Sequence, residues 1–377
     1  MNLDFTERQE MLRAAAKDFI VNECPKSLVR ELEEDEKGYS PELWQKIADL
    51  GWLGLVFPEE YGGAGGDFMD LVVLLEEMGR GLFVSPILPT VVIGGLSILN
   101  AGSEEQKQEL LPRIASGELI ISWAFNEFET SYDITSINTR AIQSGANYTV
   151  EGTKLFVGNA NICDYLLTVA KTDTSGNFEN GLTTFLIPSK QPGVVCTLVP
   201  TIAFDSQYEV VFHEAEVPEG GILGGLNGGW QVKERALLRG AAAKCAEMIG
   251  GAEAVLEMAT AYAKERIQYE RPIGSFQVIQ HYLANMWIDV LTAKNITYKA
   301  AWKLSHGLPC KQEVASAKGW VSQVYNRVAE RGIHIHGAIG LTEDHDISLH
   351  YKRAKAAELA FGDLDYQQEL MAREIGL

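Results

Sequence analysis

Two stretches of the sequence combine residue types and spacings that are suited to chemistry. The first is AKERIQYERPIGSFQVIQHYLANM at residues 263–286, in which Arg266 and Arg271 flank an aromatic residue. Pro272 and Gly274 then interrupt the helical pattern before a new helix begins. Guanidinium groups beside a restarting helix favour an anion such as phosphate. A solvated turn between two helices explains the same residues about as well.

The second stretch is LAFGDLDYQQE at residues 359–369. An apolar run stops at Gly362, the aspartates Asp363 and Asp365 follow, and then a new helical pattern begins. This order of helix, glycine, aspartate and helix indicates either a plain connection or a turn that presents chemistry to a pocket.

The sequence argues against several other kinds of site. It contains neither G-x-G-x-x-G nor G-x-x-x-x-G-K-[ST], so a Rossmann dinucleotide site and a P-loop are not predicted. It also lacks the G-x-S-x-G pattern around a serine nucleophile. The histidine pairs 334/336 and 345/350 have spacings that do not share a helix face, so we expect no metal site.

Composition and charge narrow the expected partners and compartment. The 377 residues carry a net charge of -19, which argues against nucleic acid and anionic membranes as partners. We expect no membrane segment, because no apolar run approaches the roughly 20 residues that a span needs. The polar start predicts no signal peptide. The five scattered cysteines are typical of reduced thiols in a cytoplasmic protein.

Three successive regions would position these stretches. Residues 1–120 show helical patterns, which predict an N-terminal α-helical domain. Residues 121–224 contain short β-branched and aromatic runs separated by Gly, Asn, Asp and Pro, which predict an antiparallel barrel or sandwich. Residues 225–377 contain long periodic runs, which predict a C-terminal four-helix bundle.

Local signals predict where the first helices begin and end. Thr6 and Ser103 each begin a capping box, with glutamine three residues later. Ser40 precedes a proline at the first position of another helix, which Gly51 would end. The run LVVLLEEM would be closed by Gly79.

Four motifs, in this order, resemble the acyl-CoA dehydrogenase family over the whole chain. They are LGWLGLVFPEEYGGAGGD (50–67), YTVEGTKLFVGNANICDYLLTVAKT (148–172), ERIQYERPIGSFQ (265–277) and GIHIHGAIGLTEDHDISLHYKRAK (332–355). The resemblance implies an α-helical N-terminal domain, a central antiparallel β-barrel and a C-terminal four-helix bundle. It also implies an FAD-dependent oxidoreductase acting on CH–CH groups of acyl-CoA, with electron-transfer flavoprotein as electron acceptor and a tetrameric assembly.

Compared residue by residue, the resemblance implies contacts to FAD. Arg266 matches the pyrophosphate arginine, and Gln268, Tyr269 and Gln277 fall on its neighbours. Gly337 falls on the first glycine of a turn that faces the FAD of a neighbouring subunit.

Other positions of the implied FAD site hold unusual residues. Asn126 replaces a threonine that bonds the flavin, and Ser131 with Tyr132 replaces a Gly-Ser pair. Phe156 replaces a tryptophan against the flavin, and Gly158 replaces a threonine or serine. In the turn over the neighbouring subunit's FAD, two further replacements occur: His334 for glutamine and Ala338 for the second glycine.

The family's catalytic glutamate is missing from both positions where it occurs. One branch of the family carries it at the final turn, where this chain has Phe361. Another carries it on the first helix of the bundle, where this chain has Gly240. Asp363 and Glu234 are nearby carboxylates and weak candidates. The backbone N–H of Phe361 remains and, in the family, helps to polarise the thioester carbonyl.

Three interpretations are compatible with this pattern. In the first, the chain is an active acyl-CoA dehydrogenase whose base is displaced, to Asp363 or Glu234, or is supplied by another chain. Alternatively, it is a non-catalytic, FAD-supporting subunit that forms a heterotetramer with a second acyl-CoA dehydrogenase. The third interpretation is a family member with altered chemistry that needs no α-proton base at that place. The sequence leaves open whether the tetramer is a homotetramer or a heterotetramer. We favour the second interpretation, because both base positions lack a carboxylate and several flavin contacts are replaced, while Arg266 and Gln277, which the resemblance assigns to the neighbouring subunit's FAD, remain.

Overall fold

The computed structural model describes residues 5–128, 137–173 and 178–377. Its α-helices are α1 (Glu7–Glu23), α2 (Lys26–Glu34), α3 (Pro41–Asp49), α4 (Phe68–Gly81), α5 (Leu96–Ala101), α6 (Glu104–Ala115), α7 (Gly229–Glu265), α8 (Gln277–Ser305), α9 (Lys311–His336), α10 (Asp346–Leu359) and α11 (Leu364–Glu374). Its strands are β1 (Ile121–Ala124), β2 (Arg140–Ser144), β3 (Asn147–Gly158), β4 (Tyr165–Lys171), β5 (Leu182–Pro188), β6 (Val194–Val199), β7 (Gln207–Pro218), β8 (Ile222–Leu223), β9 (Ile267–Gln268) and β10 (Arg271–Pro272). No helix within these described ranges is both long and apolar enough to cross a bilayer.

The predicted helix starts in the first region are confirmed. Thr6 and Ser103 cap α1 and α6, and in both cases the glutamine at the third helical position completes the capping box. Ser40 caps α3 through a bond from the backbone N–H of Leu43. Gly51 follows α3 with φ +75°, a left-handed conformation that glycine adopts without strain.

The chain divides into two compact units. Unit 1 consists of Met1–Arg30, Phe68–Phe83 and Ala241–Leu377, and unit 2 consists of Glu31–Asp67 and Val84–Gly240. Helix α7 contributes its first residues to unit 2 and the others to unit 1. The division into domains at 1–120, 121–224 and 225–377 therefore stays a prediction.

Unit 2 is built on a sheet with the strand order β6-β7-β3-β2-β4-β5-β8, and β1 lies beside β4. Most neighbouring strands are antiparallel, as predicted, but β4 runs parallel to both β1 and β2. Strand β3 continues to Gly158, beyond the level where β2 begins, and β4 returns from that end until its last residue, Lys171, meets Arg140, the first residue of β2. The sheet curls enough for Leu155 N on β3 to donate to Asn126 O beyond β1, at 2.8 Å.

Unit 1 is a helical bundle in which α9 packs against α8, α10 and α11. Helix α4 packs against α1 and α8. The unit-1 part of α7 touches α9, because a Cβ on Gly251 would lie 2.4 Å from the hydroxyl of Tyr325. Small residues on α7 therefore let its neighbours approach its backbone.

Gly79 does not end its helix, contrary to the prediction from sequence, because α4 continues to Gly81. A Cβ on Gly79 would lie 2.0 Å from the carbonyl oxygen of Glu247 on α7. A Cβ on Gly250 of α7 would lie 1.8 Å from the carbonyl oxygen of Glu76 on α4. These glycines serve a close helix crossing, which depends on a partner distant in sequence and so has no local signal.

Replacing Gly250 with alanine should lower the thermal stability of the protein, because the new methyl group meets a backbone oxygen. Overpacking costs about 1–3 kcal/mol, and a contact of 1.8 Å with a backbone oxygen places this site toward the upper end, above the gain of ~1 kcal/mol in helix propensity. Gly319→Ala is the matched control, since its Cβ would approach no closer than 3.5 Å to its neighbours. Thermal melts followed by circular dichroism should rank G250A below G319A, and equal melting temperatures would contradict this role.

Candidate functional site

The arginine-bearing stretch of unit 1 folds as a break between two helices. After α7 ends, the short strands β9 and β10 pair across a two-residue turn formed by Tyr269 and Glu270. Both turn residues have positive φ, 49° and 65°, as a type I′ hairpin turn requires. The turn leaves Tyr269 88% exposed. Helix α8 then begins at Gln277 without a side-chain cap on its first backbone N–H groups.

The two arginines in this stretch have different surroundings. The Arg271 guanidinium lies 4.1 Å from the centre of the Phe276 ring, so it stacks on its own segment. Arg266 is exposed, and among the described residues its guanidinium makes no hydrogen bond and no ion pair. Gln268 and Gln277 are exposed as well. An available guanidinium next to an uncapped helix start favours an anion site over a plain solvated turn.

The turn after α9 lies beside this stretch. Gly337 has φ +70° and ψ -144°, a conformation restricted to glycine, and a Cβ there would meet nothing within 4 Å. His334 and Ala338 are exposed, and the His334 ring is edge-on to Tyr282 of α8 at 5.7 Å. The buried ring of His336 stacks on Tyr262 of α7 at 4.4 Å.

The stacked histidine fixes where the turn lies. His336 Nδ1 bonds to the carbonyl oxygen of Gly332 at 2.8 Å, and burial lowers its pKa from the ordinary value. Tyr262 O in turn accepts from the backbone N–H of Arg266. Unit 1 thus brings together the predicted residues Arg266, Gln268, Tyr269, Gln277, His334, Gly337 and Ala338. No group of three or more metal-ligating side chains occurs in the described parts of the chain.

The predicted residues of unit 2 surround a bulge in β3. The pairing of β3 with β7 shifts register between Lys154 and Val157, and Phe156 within the bulge has φ +53°. This conformation leaves Phe156 56% exposed. Gly158 is open, since a Cβ there would meet only the side chain of Gln207 at 3.7 Å. Half-buried Asn126 lies next to the bulge through its bond with Leu155, whereas Ser131 lies outside the described residues.

A buried ion pair holds this bulge, and sequence analysis missed it. The Lys154 ammonium, fully buried, donates to Glu127 Oε1 at 2.8 Å and to the carbonyl oxygen of Val169 at 2.9 Å. Glu127 also accepts from the backbone N–H groups of Asn138 and Thr139 at 2.6 and 3.1 Å. Burial opposes its charged form, but the ammonium and these hydrogen bonds hold the pKa of Glu127 below its usual value.

One signal in the sequence points to Lys154. It lies in phase with Tyr148 and Val150 on the buried face of β3. A lysine at an inward position of a strand requires a carboxylate partner, because an unpaired buried charge is very costly. The partner itself, Glu127, is separated from Lys154 by a strand and cannot be recognised from spacing.

Replacing Lys154 with methionine should destabilise unit 2 by about 3–5 kcal/mol, since it leaves the Glu127 carboxylate buried without its cation. Lys190→Met is the control: Lys190 is 73% exposed and lies 3.7 Å from Asp164, so its loss should change stability by less than about 0.5 kcal/mol. Urea denaturation measures both variants, and similar small effects would show that the buried pair does not support the bulge.

The final turn of unit 1, between α10 and α11, contains Phe361. Phe361 has φ +57° and Gly362 has φ +98°. The Lys318 ammonium donates to the carbonyl oxygen of Gly362, and Gln367 Nε2 donates to that of Phe361, at 2.9 and 2.8 Å. The backbone N–H of Phe361 donates to no acceptor among the described residues. Neither Lys318 nor Gln367 was identified from the sequence, although Lys318 lies within the apolar phase of α9.

The two carboxylates considered as replacement bases occupy other environments. Asp363 is the N-cap of α11, and its Oδ1 accepts from the backbone N–H of Tyr366 at 3.0 Å. Glu234 is half-buried on the unit-2 part of α7, and Gly240 is buried further along the same helix. Capping of α11 therefore accounts for an aspartate at position 363, and no catalytic role is needed to explain it.

Comparison with known proteins decides the family. Three family models match in order: the N-terminal domain of acyl-CoA dehydrogenase at residues 6–118, the middle domain at 122–215 and the C-terminal domain at 227–376. A probable acyl-CoA dehydrogenase, YngJ of Bacillus subtilis (strain 168), is 31% identical over 382 residues, covering 100% of both chains. The chain belongs to the acyl-CoA dehydrogenase family.

Solved structures of similar proteins agree with this assignment. Butyryl-CoA dehydrogenase from Megasphaera elsdenii is 28% identical with a TM-score of 0.93, covering 100% of both chains. A chain of the ChsE4-ChsE5 complex from Mycobacterium tuberculosis is 29% identical with a TM-score of 0.91, covering 100% of this chain and 99% of that one. The predicted family, its three-domain fold and the class of FAD-dependent oxidoreductase acting on CH–CH groups are confirmed.

The residues present fit the chemistry of FAD. Its pyrophosphate is an anion, and unit 1 offers the exposed guanidinium of Arg266, the uncapped start of α8 and the open backbone at Gly337. Its isoalloxazine is a planar aromatic ring, and unit 2 offers the exposed ring of Phe156, which directly follows the residue whose backbone bonds to Asn126. The contacts of individual residues with FAD stay predictions.

Proposed function

We propose that this chain takes part in the FAD-dependent α,β-dehydrogenation of an acyl-CoA thioester as the base-lacking subunit of a heterotetramer. Its partner in this assembly would be a complete acyl-CoA dehydrogenase, and electron-transfer flavoprotein would accept the electrons. One observation carries the proposal: the final turn keeps a backbone N–H at residue 361 that donates to none of the described residues, while the side chain there is phenylalanine.

The chain's own residues can polarise the thioester carbonyl but supply no general base at the two positions where the family carries one. A backbone N–H at Phe361 can donate to the oxygen of a thioester carbonyl, which makes the adjacent α-proton more acidic. Phenylalanine cannot accept that proton, and Gly240 offers no side chain at the alternative position. The proton must therefore be accepted by a group that neither family position of this chain supplies.

FAD, when bound, supplies the hydride-accepting chemistry of the reaction. Arg266, Gln268, Tyr269 and Gln277, together with the turn at Gly337, would hold the pyrophosphate end of the FAD of a neighbouring subunit. Asn126, Phe156 and Gly158 would lie at the isoalloxazine end of the FAD in this chain's own site. Ser131, His334 and Ala338 are further candidates from the resemblance alone.

A heteromeric assembly has a precedent among the similar structures. The ChsE4-ChsE5 complex is named for two chains, and this protein matches one of its chains over its whole length. Exposed apolar residues on α8 also favour burial by another subunit: Val278, Trp287, Ile288 and Leu291 are 52%, 56%, 54% and 41% exposed.

Purification decides between this proposal and an active homotetramer. The chain expressed alone should show little turnover of an acyl-CoA panel with an artificial electron acceptor, and co-expression with an acyl-CoA dehydrogenase from a neighbouring gene should give a stable, yellow complex. A yellow homotetramer with high turnover would refute the proposal.

Replacing Arg266 with alanine should weaken retention of FAD by the assembled protein about tenfold to a hundredfold, because a charge-assisted contact with phosphate is lost. Arg373→Ala is the control, since Arg373 is 66% exposed and pairs with Glu369 on the preceding turn of its own helix. Visible flavin absorbance after dialysis measures the effect. Equal retention by both variants would remove Arg266 from the proposed site.

A further inference from the structure

Lys318 is a buried cation to which neither the family resemblance nor the proposed function assigns a role. It lies on α9 with none of its surface exposed. Its ammonium donates to Ser322 Oγ and to the carbonyl oxygens of Glu358 and Gly362, each at 2.9 Å. All three N–H donors of the ammonium are therefore engaged, two of them by the backbone of another segment.

The two backbone acceptors lie on either side of Phe361. Glu358 belongs to the last turn of α10, and Gly362 directly follows Phe361. The carbonyl of Phe361 itself is bonded by Gln367, which is buried. A bulky residue with φ +57° persists only where its surroundings fix the backbone, and these bonds are the surroundings that fix it.

We propose that Lys318 is the positioning residue of this turn: by binding the carbonyl groups on both sides of Phe361, it keeps the backbone in the conformation that leaves the Phe361 N–H unpaired for a thioester carbonyl. Lys318 does not touch the substrate in this role and acts through the peptide groups of the turn. The inference rests on the proposed function, which supplies the thioester as the acceptor.

The charge of Lys318 matters to this role, because a neutral amine has one N–H donor fewer than an ammonium. Burial lowers the pKa of Lys318 to about 8. The charge of Lys244 lowers it as well, whereas Cys245, Glu358 and Asp363 act in the opposite direction. As the pH rises through this value, one of the three bonds is lost and the turn should relax.

The turn can be observed directly with 4-fluorophenylalanine at position 361 of the full chain. We expect the fluorine resonance to shift with pH, with a midpoint near the Lys318 pKa of about 8. Lys318→Met should abolish this transition. Lys355→Met, which removes a half-buried ammonium of α10 that pairs with Glu330, should keep it. A native chain without the transition, or K318M with the same transition, would overturn the proposal.

A second measurement follows the thioester. A conjugated aryl-acryloyl-CoA absorbs at longer wavelength when its carbonyl accepts a hydrogen bond, so its spectrum reports on the Phe361 N–H in the purified oligomer. We expect K318M to lose at least half of the native shift and to bind about tenfold more weakly, with K355M unchanged. An undiminished shift in K318M would overturn the positioning role.

The two measurements separate the proposals. If the native oligomer binds no acyl-CoA thioester, the proposed function fails. The fluorine titration needs no ligand, so it still decides whether Lys318 holds the turn.

Discussion

The backbone at Phe361 is fixed by a buried ammonium, and what the chain can do depends on this constraint. Lys318 binds the carbonyl groups on both sides of the residue, and Gln367 binds its own carbonyl. None of these bonds involves the side chain at position 361. The turn can therefore lose a catalytic carboxylate and keep its backbone donor, which is the combination that the proposed base-lacking subunit requires.

Unit 2 also contains a buried lysine that bonds to main-chain oxygens near a phenylalanine with positive φ, at a second predicted site. Lys154 is fully buried beneath the bulge of β3 and bonds to Glu127 and to main-chain oxygens, while Phe156, two residues on, has φ +53° and an exposed ring. In both units a left-handed phenylalanine is held by a lysine that cannot move without leaving a buried charge or carbonyl unpaired. The backbone conformation thus determines where the two phenylalanine side chains lie, and the buried lysines stabilise that backbone conformation.

Much of the fold could be predicted from local patterns. Capping boxes at Thr6 and Ser103 and the Pro-Gly break after Arg271 depend on neighbouring residues, and the structure contains each of them. The prediction for Gly79 was wrong because α7, the helix that packs against it, is distant in sequence. Lys154 and Lys318 were missed for the same reason. A lysine in an apolar phase signals a buried partner, but spacing does not identify which carbonyl or carboxylate it will meet.

In the proposed function, the turn at Phe361 keeps its backbone conformation but lacks a catalytic base. The most direct test is to introduce a carboxylate at that position. Anaerobic stopped-flow measurement follows the reduction of bound flavin by an acyl-CoA in complexes of the native chain and of Phe361→Glu, each assembled with a partner subunit whose own catalytic base has been removed. If the backbone is already in place, the glutamate should accelerate flavin reduction by about a hundredfold or more, the typical contribution of a positioned general base. A native chain that reduces its flavin as fast as F361E would contradict the account.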